Sequence, residues 1–134
     1  MDMAPRGIRN NNPLNIRKGS PWQGLRTEQT DSEFCQFISM EWGIRAAFKV
    51  LFTYLSKRVD TVDKIIRRWA PPSENNTENY ITTVCKFGVL DRHTLIKKSD
   101  KQKLCRLVWA MAKVECGQKL SFGLIENAYQ LALR

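Results

Sequence analysis

The sequence is short of acids, nearly without histidine, and free of any long uninterrupted apolar run. Only 13 aspartates and glutamates stand against 22 lysines and arginines, a formal net charge of +9. That imbalance calls for an anionic partner or surface, and nucleic acid, acidic lipid and bacterial wall polymer meet the requirement equally. No apolar stretch approaches the ~18 residues that a membrane span needs, so none is expected. The single histidine, His93, has no carboxylate at a telling spacing and reads as a surface residue. The cysteines Cys35, Cys85, Cys105 and Cys116 form no Cys-x-x-Cys pair, so they make no zinc site and no metal is expected. A phosphate-binding glycine loop and a Ser/His/Asp constellation are also missing, and no cofactor is expected. The start, Met1-Asp2-Met3-Ala4-Pro5-Arg6, lacks the apolar segment of a signal peptide. The expectation is therefore synthesis in a cytoplasm, with free buried thiols rather than disulfides.

What remains is ordinary for a globular chain: 134 residues, 43% hydrophobic and 26% charged, read as a single domain over 1–134. Residues 25–38 hold β-branched and aromatic residues around a polar centre, which predicts a small β-hairpin with Asp31 and Ser32 near its turn. From Met40 to Lys57, Ala47, Val50, Leu51, Tyr54 and Leu55 follow helical spacing, and Ile44, Phe48 and Phe52 widen the apolar face. A helix so apolar belongs at the centre of a helical domain. Asp60 or Thr61 caps a second helix that must stop at Ala70, before Pro71-Pro72. Thr77 opens a third, with Gly88 as its stop. Ser99 with Gln102 makes a capping box for a fourth, running to Glu115 before Gly117. Ser121 caps a fifth. The expected fold is α+β and mostly α: about five helices and a small hairpin.

Three groups of residues could carry chemistry. The stretch Arg6-Gly7-Ile8-Arg9-Asn10-Asn11-Asn12-Pro13-Leu14-Asn15-Ile16-Arg17 is too polar for core, and its amides suit reading hydroxyls and acetamides. Pro13 holds Asn12 out of helical conformation. Glu115 ends a helix, where a carboxylate meets the negative end of the helix dipole. A carboxyl group kept protonated near neutral pH is what a glycosidase general acid must be. The hairpin carries Glu28, Asp31 and Glu33, candidates for the second carboxylate of such an enzyme. Trp69 through Tyr80, with Pro71-Pro72, Glu74 and amides between, could wall a groove in which a sugar ring stacks on an aromatic face. The basic run Lys97, Lys98, Lys101, Lys103 and Arg106 is more often a solvated helix face, so nucleic acid is not the expected partner.

The asparagine stretch, Trp22-x-Gly24, Phe34 to Phe37, Gly43-Ile44-Arg45-Ala46 and Trp69-Ala70-Pro71-Pro72 with Glu74-Asn75-x-Thr77-x-x-Tyr80 together resemble small phage and prophage proteins described as structural or lysozyme-like virion proteins. That family usually has Gly where this chain has Leu14. The order of these pieces is also similar to bacterial endo-N-acetylglucosaminidases of the autolysin type, whose fold is lysozyme-like. In those enzymes the catalytic Glu ends a helix just before the asparagine stretch, typically as Glu-Ser-Gly followed by a serine and a short helix. Here no Glu precedes Asn10, yet Val114-Glu115-Cys116-Gly117-Gln118-Lys119-Leu120-Ser121 repeats the pattern at the other end.

The resemblance implies a circularly permuted lysozyme-like domain that cleaves peptidoglycan glycan strands as a hydrolase or lytic transglycosylase. Glu115 would be its acid and Glu28 or Asp31 its second carboxylate, with Asn12, Asn15, Trp69, Glu74 and Tyr80 binding substrate. The alternative it implies is a non-catalytic structural or wall-binding module. Without a leader, reaching the wall requires a holin, lysis or carriage on a virion. One geometric expectation follows: Asn12 and Asn15 should lie beside Glu115.

Overall fold

A computed structural model describes residues 4–134; Met1 to Met3 of the start considered above lie outside it. Six helices follow in order: α1 (Arg6–Arg9), α2 (Met40–Ser56), α3 (Val62–Trp69), α4 (Thr77–Gly88), α5 (Lys101–Cys116) and α6 (Phe122–Ala132). Helix α2 buries Ile44, Ala47, Phe48 and Leu51 completely and packs along α6, where Phe48 and Phe52 meet the edge of the Tyr129 ring. Helices α4 and α5 pack together, α5 also touches α6, and α3 leans on α4. Burial of Leu104, Leu107, Val108, Ala110, Met111 and Ala112 makes α5 the second apolar column of one shared core.

Local signals set the helix ends. Ser39 caps α2 by accepting from the Trp42 amide, and Thr61 Oγ1 caps α3 through Lys64 N at 3.2 Å. Helix α3 stops at Ala70 because Pro71 cannot donate the next bond. Asn76 rather than Thr77 caps α4, while the Thr77 hydroxyl donates to Ala70 O at 2.6 Å and ties α4 back to α3. The expected Ser99 capping box is absent. Asp100 is the N-cap of α5, and its carboxylate accepts from Lys97 N at 2.9 Å in the preceding turn. Gly117 ends α5 at φ +75°, the left-handed conformation glycine adopts without strain.

The expectation of an α+β fold with a β-hairpin is overturned: the described residues are helical with no strand and no sheet. Between Arg17 and Phe37 two isolated antiparallel bridges form, Arg17 with Phe34 and Leu25 with Phe37. The reason lies in the polar centre of the segment, where side chains take backbone partners that a ladder would need. Gln29 accepts from Gln36 N and donates to Arg26 O and Gln36 O, within 2.9 Å in each case. The Gln36 side chain accepts from Thr30 N, and Asp31 Oδ1 accepts from Glu33 N and Phe34 N. The alternation of residue types had the period of a strand, but its amides and carboxylates brace it as a loop.

That loop is locked onto the asparagine stretch. Helix α1 is one turn long and yields at Asn10, so the stretch opens with a single helical turn and continues as a loop. Gly43 of α2 lies so close to it that a Cβ there would sit 2.0 Å from Asn11 O. This contact seats the stretch on the central helix.

Candidate active site

Two residues of the asparagine stretch, Asn11 and Asn15, have left-handed backbones, at φ +51° and +54°. Asparagine tolerates that region better than other non-glycine residues, so part of the amide richness serves the path of the chain. Leu14, at the position where the resembling family has Gly, keeps negative φ and is buried in the core. Asn12 is fully buried. Its side chain accepts from Ile16 N at 2.9 Å and donates to Ile16 O and Cys35 O at 3.0 and 2.9 Å. Asn12 thus braces the loop from inside and offers nothing to a ligand.

Asn15 faces the other way. Its Nδ2 donates to Glu115 Oε1 at 3.1 Å, joining the asparagine stretch to the last turn of α5. The other carboxylate oxygen, Oε2, accepts from Trp69 Nε1 at 3.2 Å and from the Tyr80 hydroxyl at 2.9 Å. Three separate segments therefore converge on the half-buried carboxylate at the end of α5: the stretch, the end of α3 and the first turn of α4. Tyr80 is buried. Burial above all, and then the neighbouring Glu115 charge, push its hydroxyl well above the ordinary tyrosine range. It keeps its proton and donates.

The Glu115 carboxylate opens on a cleft of about 290 Å³, whose wall includes Asn15, Arg17, Phe34, Trp69, Glu74 and Asn75. Of the residues the sequence singles out, Asn15, Trp69, Glu74 and Glu115 share this cleft and Tyr80 supports it from behind. Glu28 is exposed on the loop and is not part of the cleft wall. Asp31 is also off the wall, engaged by Arg6 through two bonds of 2.6 Å and by Asn10 at 3.0 Å. Those bonds, the Arg6 guanidinium first and then the Phe34 and Glu33 amides, hold its carboxyl far below the usual range against the opposing effect of burial. Asp31 is the pin that fastens the loop to α1.

Sequence reasoning missed Arg17 and Phe34 as cleft residues. The Phe34 ring carries two guanidinium groups, Arg6 at 4.6 Å and Arg17 at 5.2 Å from its centroid. The one available signal was an arginine at each end of the asparagine stretch. Among the described residues no group of His, Cys, Asp and Glu is arranged to hold a metal ion, and no helix is long and apolar enough to cross a membrane.

No family model matches the chain. It is 39% identical over 119 residues to Protein P5 of Pseudoalteromonas phage PM2, an alignment that covers 85% of this chain and 72% of that protein.

Proposed function

This chain belongs to the family of Protein P5 of Pseudoalteromonas phage PM2, and within that phage family we propose that it is a peptidoglycan-cleaving glycosidase, lysozyme-like in its chemistry. Glu115, having taken up a proton from solvent in exchange for one of the donors that engage it, passes that proton to the glycosidic oxygen of the scissile bond as that bond breaks. Trp69 offers a face to a sugar ring, and Asn15 and Asn75 offer amides to acetamido and hydroxyl groups. Glu74 is the second carboxylate of the cleft wall and takes the role that the sequence suggested for Glu28 or Asp31. It stabilises the oxocarbenium-like centre or orients the water that attacks it; in a transglycosylase a hydroxyl of the substrate attacks instead. The net positive charge favours residence on an anionic wall.

The observation that carries the reading is the Asn15–Glu115 contact. It joins the asparagine stretch to a helix-terminal glutamate, so an amide that can read a sugar substituent lies beside a carboxyl group that can serve as an acid. A second reading, a structural virion module without catalysis, draws on the same carboxylate: three donors from its own chain already engage Glu115, as in a structural cross-link.

Turbidity loss of purified sacculi separates the two. The wild-type chain should clear them and Glu115→Gln should slow clearing at least about a hundredfold, in the range of a lost general acid. Equal clearing by both removes Glu115 from the mechanism, and clearing by neither leaves the structural module.

A further inference from the structure

The two arginines that flank the asparagine stretch share one aromatic ring but differ in how they are held. Arg6 is clamped by Asp31 through two bonds of 2.6 Å, and that carboxylate is only 8% exposed. Arg17 meets one oxygen of Glu33 at 3.4 Å, with the two side chains 67% and 51% exposed. An exposed pair of that geometry contributes little and exchanges partners readily. Arg17 also lines the cleft and is the one cation on its wall among the described residues, facing two carboxylates, Glu74 and Glu115. A cleft with that balance repels an anionic ligand unless the cation is placed to meet the charge.

Resting on the glycosidase reading above, we propose that Arg17 forms a carboxylate subsite at the cleft wall, for which the Glu33 carboxylate is the resident stand-in. The ligand is a glycan bearing a carboxylate beside the sugar chain, rather than a neutral N-acetylglucosamine polymer. Arginine suits this role because its planar fork receives both oxygens of a carboxylate. The Phe34 ring beneath it keeps the guanidinium at the wall. Substrate displaces Glu33 and takes its place, so the chain spends no extra positive charge on recognition.

Calorimetry on the full chain tests this with three tetrasaccharides. One is neutral N-acetylglucosamine, one alternates it with N-acetylmuramic acid bearing a free lactyl carboxylate, and one carries a dipeptide on that lactyl group. Wild type should prefer one of the carboxylate-bearing glycans over the neutral one by about fivefold, roughly the worth of an exposed charge pair. Which of the two is preferred tells lactyl from peptide carboxylate. Arg17→Gln should erase the preference, and Glu33→Gln, which removes the stand-in, should widen it. Equal binding of all three by wild type, or a preference that survives Arg17→Gln, overturns the subsite alone. No binding of any of them overturns the glycosidase reading and the subsite with it.

Discussion

The Tyr80 hydroxyl donates to Glu115 Oε2 at 2.9 Å, so the first turn of α4 fixes the carboxylate at the end of α5. Trp69 shares the same oxygen from α3, and Asn15 holds the other. The carboxylate is therefore aimed by two residues of the cleft wall and, from behind it, by Tyr80.

Tyr80→Phe removes one of those donors and nothing else of the side chain's bulk. Under the glycosidase reading, kcat on soluble glycan should fall about tenfold with KM little changed, the pattern of an interaction that matters to the reacting group. Stability should fall by about 1 kcal/mol, an ordinary hydrogen-bond contribution. Steady-state kinetics beside thermal melts read the two effects separately. An unchanged kcat would show that Tyr80 supports the fold only.

Gly43→Ala tests the seat of the asparagine stretch. The added methyl would meet Asn11 O at 2.0 Å, and both partners are backbone or fixed to it. Helix α2 and the stretch must separate, so a loss of about 3 kcal/mol or more is expected, at the upper end for overpacking. Chemical denaturation measures it. Gly117→Ala meets no neighbour within 4 Å and suffers only the left-handed backbone, so its loss should be the smaller.

Acid should loosen the loop through Asp31. Its carboxyl is depressed below the ordinary 3.8 by Arg6 and by backbone amides. A depressed carboxyl contributes stability that is fully present above the unfolded-state value and is lost as the pH falls below it. Asp31→Asn should therefore lower the melting temperature at pH 7. The gap to wild type should narrow steadily below about pH 4. A gap that stays constant down to pH 2 would assign the effect to packing rather than charge.

Val89 closes α4 at φ +54° and is 75% exposed. A β-branched residue in the left-handed region is strained, and so little burial leaves almost nothing to offset the strain. Val89→Gly should raise stability by about 1 kcal/mol, visible as a higher melting temperature. A lower one would mean that the valine side chain makes contacts worth more than the strain.

The helices α2, α3, α4 and α5 were legible because their apolar spacing and their stops, Pro71 and Gly117 among them, are local signals. Glu115 was legible for the same reason: it sits at a stop. The loop was not, because Gln29, Gln36 and Asp31 satisfy its backbone with side chains, and hydrophobic alternation says nothing about where an amide will turn. Asn12 and Asn15 were indistinguishable as letters, three positions apart in one polar run. Only packing decides that one is sealed beneath Cys35 and the other reaches Glu115. The partnership of Arg6 with Asp31, and with it the comparative freedom of Arg17, likewise depends on contacts between distant positions.

The Asn15–Glu115 bond has a consequence for timing. It closes a span of 100 residues. Closing such a span in an unstructured chain costs about 2 kcal/mol more in entropy than closing one of about ten residues. Contacts of long sequence separation form late, so the local turns and helix caps precede this one. A ribosome-bound chain short of α5 holds the stretch and the aromatics but lacks the carboxylate they surround. The cleft is thus complete only when two positions 100 residues apart have met, and a chain that ends short of α5 lacks the carboxylate that Asn15, Trp69 and Tyr80 surround.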